Sequence, residues 1–161
     1  LYLVSKFKTI FYDNSPSSTV LNIINTNIKD NDKAEFGGSC VTGDDNCKGT
    51  LEIKVSGLMS PNPQPIRSAH IFNTCEEVLN QDTSVTSALD IAGFNPNSSL
   101  ASTESITALA DVFFPGMTLS DDVYTSLINI FNQSKSEGIS NKDAWKMVMD
   151  PMCKSPLFEL Y

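Results

Sequence analysis

The stretch "SDDVYTSLINIFNQSKSEGISNKDAWKMVMDPMC", residues 120–153, decides the fold. Ser120 stands before Asp121 and Asp122, and Gly138 follows the last polar turn. A serine hydroxyl can accept from the unbonded N–H groups of a first helical turn, and carboxylates are favoured at that positive end. Val123, Leu127, Ile130 and Phe131 recur at helical spacing, so 120–138 is predicted to be a helix with these four on its apolar stripe. Ser140 and Asp143 then form a capping-box pattern for a second helix. In that helix Trp145, Val148 and Met149 face inward, and Pro151 ends or kinks it.

Working back along the chain, the same period continues. Residues 102–114 start at Ser102, place Ile106, Leu109, Ala110 and Phe113 inward, and stop at Pro115-Gly116. Residues 84–94 make a short helix closed by Gly93, a glycine suited to the left-handed position after a helix end. Residues 66–80 place Ala69, Phe72, Cys75, Val78 and Leu79 on one face. The expected fold is mainly α: a C-terminal bundle of about five helices over 66–161, joined by short loops. Met147, Met149 and Met152 read as core fillers, as do most phenylalanines.

Upstream, the proline-rich "SGLMSPNPQP" at 56–65 reads as the boundary to a smaller N-terminal lobe, residues 1–60. Residues 1–12 put Leu3, Phe7, Ile10 and Phe11 at helical spacing. Residues 18–29 repeat the pattern with Ser18 as cap and Val20, Leu21, Ile24 and Ile28 on one face. The lobe also holds the one clean period-two pattern, in "GGSCVTGDDNCKGTLEIKV", residues 37–55. With Gly43-Asp44 as a two-residue type II′ loop, a β-hairpin over 39–56 sets Cys40 directly opposite Cys47. Opposed positions lie about 4.5–5.5 Å apart, within disulfide reach.

The four cysteines, Cys40, Cys47, Cys75 and Cys153, allow three pairings. The expected one is Cys40–Cys47 with Cys75–Cys153, the second bridge joining the first and last long helices of the bundle. An even set of this kind fits an oxidising, extracytoplasmic compartment: periplasm, cell surface or secreted. Zinc is a poor fit, because its structural sites space cysteines more closely than any pair here. No cofactor and no metal are expected.

With 11 basic and 19 acidic residues the net charge is −8. A nucleic-acid partner would call for a basic stripe, and none is present. No apolar run is long enough for a transmembrane segment. The chain begins with Leu, as a trimmed product would. The acidic residues Asp30, Asp32, Glu35, Asp44 and Asp45 lie in polar loop sequence without the order of a calcium loop.

Catalytic patterns are scarce. His70 is the single histidine; Ser68 and Cys75 are near it in sequence but not at spacings that share a helical face. No nucleophile elbow, phosphate loop or zinc-protease motif occurs. Asn97-Ser98-Ser99 and Asn132-Gln133-Ser134 match the N-glycosylation acceptor pattern, which matters only in a secreted protein of a eukaryotic source. The tail "SPLFELY" is apolar, and Leu157, Phe158, Leu160 and Tyr161 are expected either to complete the core or to dock on a neighbouring protein.

Taken in order, "AHIFNTCEEVL", "LADVFFPGMTLSDDVYTSLINIFNQSKSEG" and "AWKMVMDPMCKSPLFELY" resemble the helical region of large secreted or periplasmic proteins of planctomycetes, myxobacteria and predatory bacteria, many of which carry haem-binding segments. The resemblance spans residues 67–161 and implies a bacterial envelope or extracellular setting. The C-x-x-C-H haem signature is missing, so electron transfer is not carried over.

Together these readings give a non-enzymatic extracytoplasmic subunit, structural or protein-binding, whose partners are other envelope or extracellular subunits in a larger assembly. The alternatives are an accessory domain of a periplasmic haem or redox complex, and a small hydrolase or thiol enzyme using His70.

Overall fold

The computed structural model describes residues 2–12, 18–30 and 65–160. Among them the chain is mainly helical, with no strand. The elements are α1 (Tyr2–Phe11), α2 (Thr19–Ile24) with a π-helical extension (Asn25–Asp30), α3 (Pro65–Leu79), α4 (Asp82–Ile91), α5 (Thr103–Phe113), α6 (Asp121–Ser136), α7 (Asn141–Cys153) and α8 (Pro156–Leu160). The expected hairpin at 39–56 and the bridge Cys40–Cys47 lie outside the described residues.

Local chemistry explains most helix ends. Ser102 opens α5 with a reciprocal capping box: its hydroxyl accepts from the Ser105 N–H, and the Ser105 hydroxyl accepts from the Ser102 N–H. Ser140 opens α7 by accepting from the Asp143 N–H at 3.1 Å while donating to the Asp143 carboxylate at 2.6 Å. Ser18 and Ser120 occupy the N-cap positions of α2 and α6, yet neither hydroxyl bonds the helix start. At α6 the aspartates Asp121 and Asp122 remain in the first turn to complement the dipole. Gly93 and Gly138 take φ of +85° and +81°. After each, an N–H reaches back to the helix: Phe94 to the Leu89 carbonyl at 2.8 Å, and Ile139 to the Ser134 carbonyl at 3.1 Å. That left-handed turn strains any side chain with a Cβ, which is why glycine stands there. Pro151 does not end α7; it lies in the last turn, and the helix runs on to Cys153.

The helices bury one shared set of apolar side chains. α6 packs along α7, α1 along α4, and α2 with its π-helical turn against α3. Leu3, Phe7, Ile10 and Phe11 of α1, and Val20, Ile24 and Ile28 of the next segment, belong to the same buried cluster as Ile106, Leu109, Phe113, Phe131, Trp145, Val148 and Met149. Helices from both sides of the proline-rich stretch thus share a single core.

Two helices are rotated relative to their sequence reading. On α3 the buried residues are Ile71, Thr74, Cys75, Val78 and Leu79, while Ala69 is exposed and Phe72 is 43% exposed. On α6 they are Tyr124, Leu127, Phe131 and Ser134, while Val123 is 41% exposed. Cys75, Val78, Leu79, Leu127 and Phe131 stay inside, so each shift moves the centre of the buried face by less than the roughly 100° that separates successive helical residues. A threonine and a serine can enter the core because their hydroxyls donate to carbonyls one turn back: Thr74 to His70 at 2.7 Å and Ser134 to Ile130 at 2.9 Å.

Cys75 and Cys153 are bonded and both fully buried, with Cα atoms 5.8 Å apart. The bridge joins α3 to the end of α7 across 78 residues of chain. In the chain-entropy account, closing a loop of that length stabilises the fold by about 4.5 kcal/mol. Replacing both cysteines (C75A with C153A) is therefore expected to lower the unfolding free energy by about that amount in urea titration, with the helical circular dichroism of the native state retained.

Candidate functional site

Three places collect the chemistry of the described residues: the C-terminal tail, the neighbourhood of His70, and a groove between α1 and α4.

The tail forms α8, and Phe158 is fully buried. Its ring meets Phe7 edge-on at 5.1 Å between centroids and Phe113 at 5.9 Å; Phe11 in turn meets Phe113 edge-on at 5.6 Å. These distances fall in the favourable range for aromatic pairs. Phe158 thus completes the core, and Leu157 packs partly buried against the same cluster. Leu160 lies in α8 without a described side chain, and Tyr161 lies outside the described residues.

Beside Phe158 sits Lys6, a buried lysine of α1. Its Nζ donates to the Phe158 carbonyl at 2.8 Å and stands 4.2 Å from the centre of the Phe158 ring and 5.9 Å from that of Phe114. A cation over an aromatic face is attracted by the ring quadrupole. No carboxylate among the described residues pairs with it. Burial therefore disfavours the charge and lowers the amine from its ordinary 10.5 to about 8.

His70 is half-buried on α3, and its carbonyl accepts from Thr74. The sulfur of Cys75 is committed to the bridge with Cys153, so the thiol that a His70–Cys75 pair would need does not exist. Among the described residues, no three histidine, cysteine, aspartate or glutamate side chains are gathered as a metal site.

The groove has a volume of about 700 Å³ and runs between Thr9 of α1 with Tyr12 just past its end, and Thr83, Thr86, Ser87, Asp90 and Ile91 of α4. Asp82 and Lys142 also line it, paired at 3.2 Å. Thr86 spends its hydroxyl proton on the Asp82 carbonyl at 3.1 Å. The groove's inventory is five hydroxyls, one ion pair and one further carboxylate, with methyl groups between them. Such a surface binds by hydrogen bonds and shallow apolar contact. The sequence reading did not find it. Its one trace is that Thr83, Thr86, Ser87 and Asp90 follow helical spacing opposite the buried Val85, Ala88 and Leu89.

Comparison with known proteins finds no matching family model, no matching curated protein and no matching solved structure.

Two outcomes follow from the tail. Phe158→Ala should cost about 3–5 kcal/mol of stability in urea titration, as for a fully buried aromatic, rather than leave the isolated chain unaffected. For Lys6, the amine titrates near 8 in the fold and near 10.5 in the unfolded chain. Between those values the unfolded chain holds more protons, so the lysine's contribution to stability rises with pH through that window. The stability of the wild type relative to Lys6→Met, measured by urea titration at each pH, should be flat below about pH 7 and climb between about 8 and 10.5.

Proposed function

We propose that the chain is a non-enzymatic module of an extracytoplasmic assembly, structural or protein-binding in role, acting in the periplasm, at a cell surface or outside the cell. The observation that carries this reading is the buried Cys75–Cys153 bridge. Protein disulfides persist where the surroundings oxidise thiols and are rare where glutathione and thioredoxin keep them reduced. A bridge that staples two long helices inside the core is a structural one; its sulfurs are inaccessible to a second thiol. The hydroxyl-lined groove between α1 and α4 gives the module a polar face on which a partner can be held by hydrogen bonds. With Phe158 buried, the apolar tail is expected to serve the core first, and partner contacts fall to the exposed surface.

The test is to isolate the native protein from its source under non-reducing conditions and weigh the particle by light scattering. A stoichiometric particle several times heavier than one chain is the expected result, with its other subunits recovered from the extracytoplasmic fraction. A particle of one chain alone, in any fraction, overturns the reading.

A further inference from the structure

The two N-x-Ser triplets of the sequence, Asn97-Ser98-Ser99 and Asn132-Gln133-Ser134, are presented very differently by the fold. Asn132 lies within α6, where the backbone of its triplet is committed to helical bonds. The third residue, Ser134, is buried, and its hydroxyl donates to the Ile130 carbonyl. An enzyme that grips the whole triplet would have to unwind α6 to reach it.

Asn97 stands in the exposed turn between α4 and α5. The turn is built around Asn95. Its side-chain oxygen accepts from the Asn97 N–H at 2.9 Å, and its carbonyl accepts from the N–H groups of Ser98 and Ser99 at 3.3 and 3.0 Å. α7 holds the turn from beneath: Asn141 Nδ2 donates to the Asn97 carbonyl at 3.2 Å, and the Trp145 indole donates to the Ser99 carbonyl at 3.0 Å. These bonds engage the backbone of the triplet, and the Ser99 hydroxyl accepts from the Asn95 N–H at 3.1 Å. The side chain of Asn97 is left in solvent, and no described residue hydrogen-bonds its amide. An acceptor triplet in an exposed turn of a secreted protein is the arrangement N-glycosylation uses.

We infer that Asn97, and not Asn132, carries an N-linked glycan. The substrate class is a lipid-pyrophosphate-linked oligosaccharide. A bond forms between Asn97 Nδ2 and the anomeric carbon of the first sugar, the bond from that carbon to the pyrophosphate oxygen breaks, and the lipid pyrophosphate departs. The proton lost from Nδ2 passes to solvent, and no redox change occurs. Such donors act outside the cytoplasm, so the inference rests on the extracytoplasmic reading above. Neighbouring Ser98 is also exposed, so the glycan projects into water without displacing a core side chain.

The test is a peptide map of the native protein, purified from its source with free thiols blocked and without reduction. Mass spectra are taken before and after treatment with peptide N-glycosidase in heavy-oxygen water. The expected map shows Cys75 and Cys153 as one linked peptide. It shows the Asn97 peptide bearing a sugar mass that the enzyme removes, leaving aspartate labelled with heavy oxygen, and the Asn132 peptide unmodified. A linked Cys75–Cys153 peptide with unmodified Asn97, or with sugar on Asn132 alone, overturns this inference and leaves the extracytoplasmic reading standing. Blocked free thiols at both cysteines overturn that reading, and the inference with it.

Discussion

The Cys75–Cys153 bond governs where the C-terminal end of the chain lies, and much of the remaining packing follows from that position. It fixes the last turn of α7 against the middle of α3 with Cα atoms 5.8 Å apart. Five residues later, Phe158 enters the space between α1 and α5. The tail is thus held at two points, one covalent and one aromatic. Lys6 adds a third from the N-terminal side, by donating to the Phe158 carbonyl. Because α1 and α8 meet in one core, releasing either helix uncovers apolar surface on the other.

Lys6 shows that this junction is not optimised for stability alone. Among the described residues this ammonium has one hydrogen bond and two rings for company, and its lowered proton affinity expresses the cost of burial. The lysine head stands over the Phe158 ring and reaches a backbone carbonyl that would otherwise be left at a helix end. The same residue therefore satisfies one polar group and exacts a penalty for its own charge.

The functional reading depends on the same bond in a different way. The disulfide sealed in the core removes Cys75 from any thiol chemistry with His70. The groove between α1 and α4 is positioned by that core: Phe7 and Phe11 anchor α1 from below, and Val85, Ala88 and Leu89 anchor α4, leaving their outer faces to flank the hydroxyl-lined channel. The turn that bears Asn97 is held by Trp145, whose ring is buried against Phe131 at 4.9 Å.

What the sequence determined by itself was local. The existence of the long helices and most of their ends were legible, because caps, glycine stops and apolar periodicity act within a few residues. Ser102, Ser140, Gly93 and Gly138 stand where they were read. The inward residues of α1, α5 and α7 were legible too, since each has a single apolar stripe. Only the tertiary structure decided the rest. α3 and α6 each offer two adjacent stripes, and neighbouring helices chose the one containing Thr74 or Ser134, whose hydroxyls could bond back into their own helix. The tail's place in the core depended on partners some 150 residues away in sequence, Lys6 and Phe7. The groove escaped notice because its two walls come from helices far apart in the chain, and a polar stripe such as Thr83, Thr86, Ser87 and Asp90 looks like any solvated helix face.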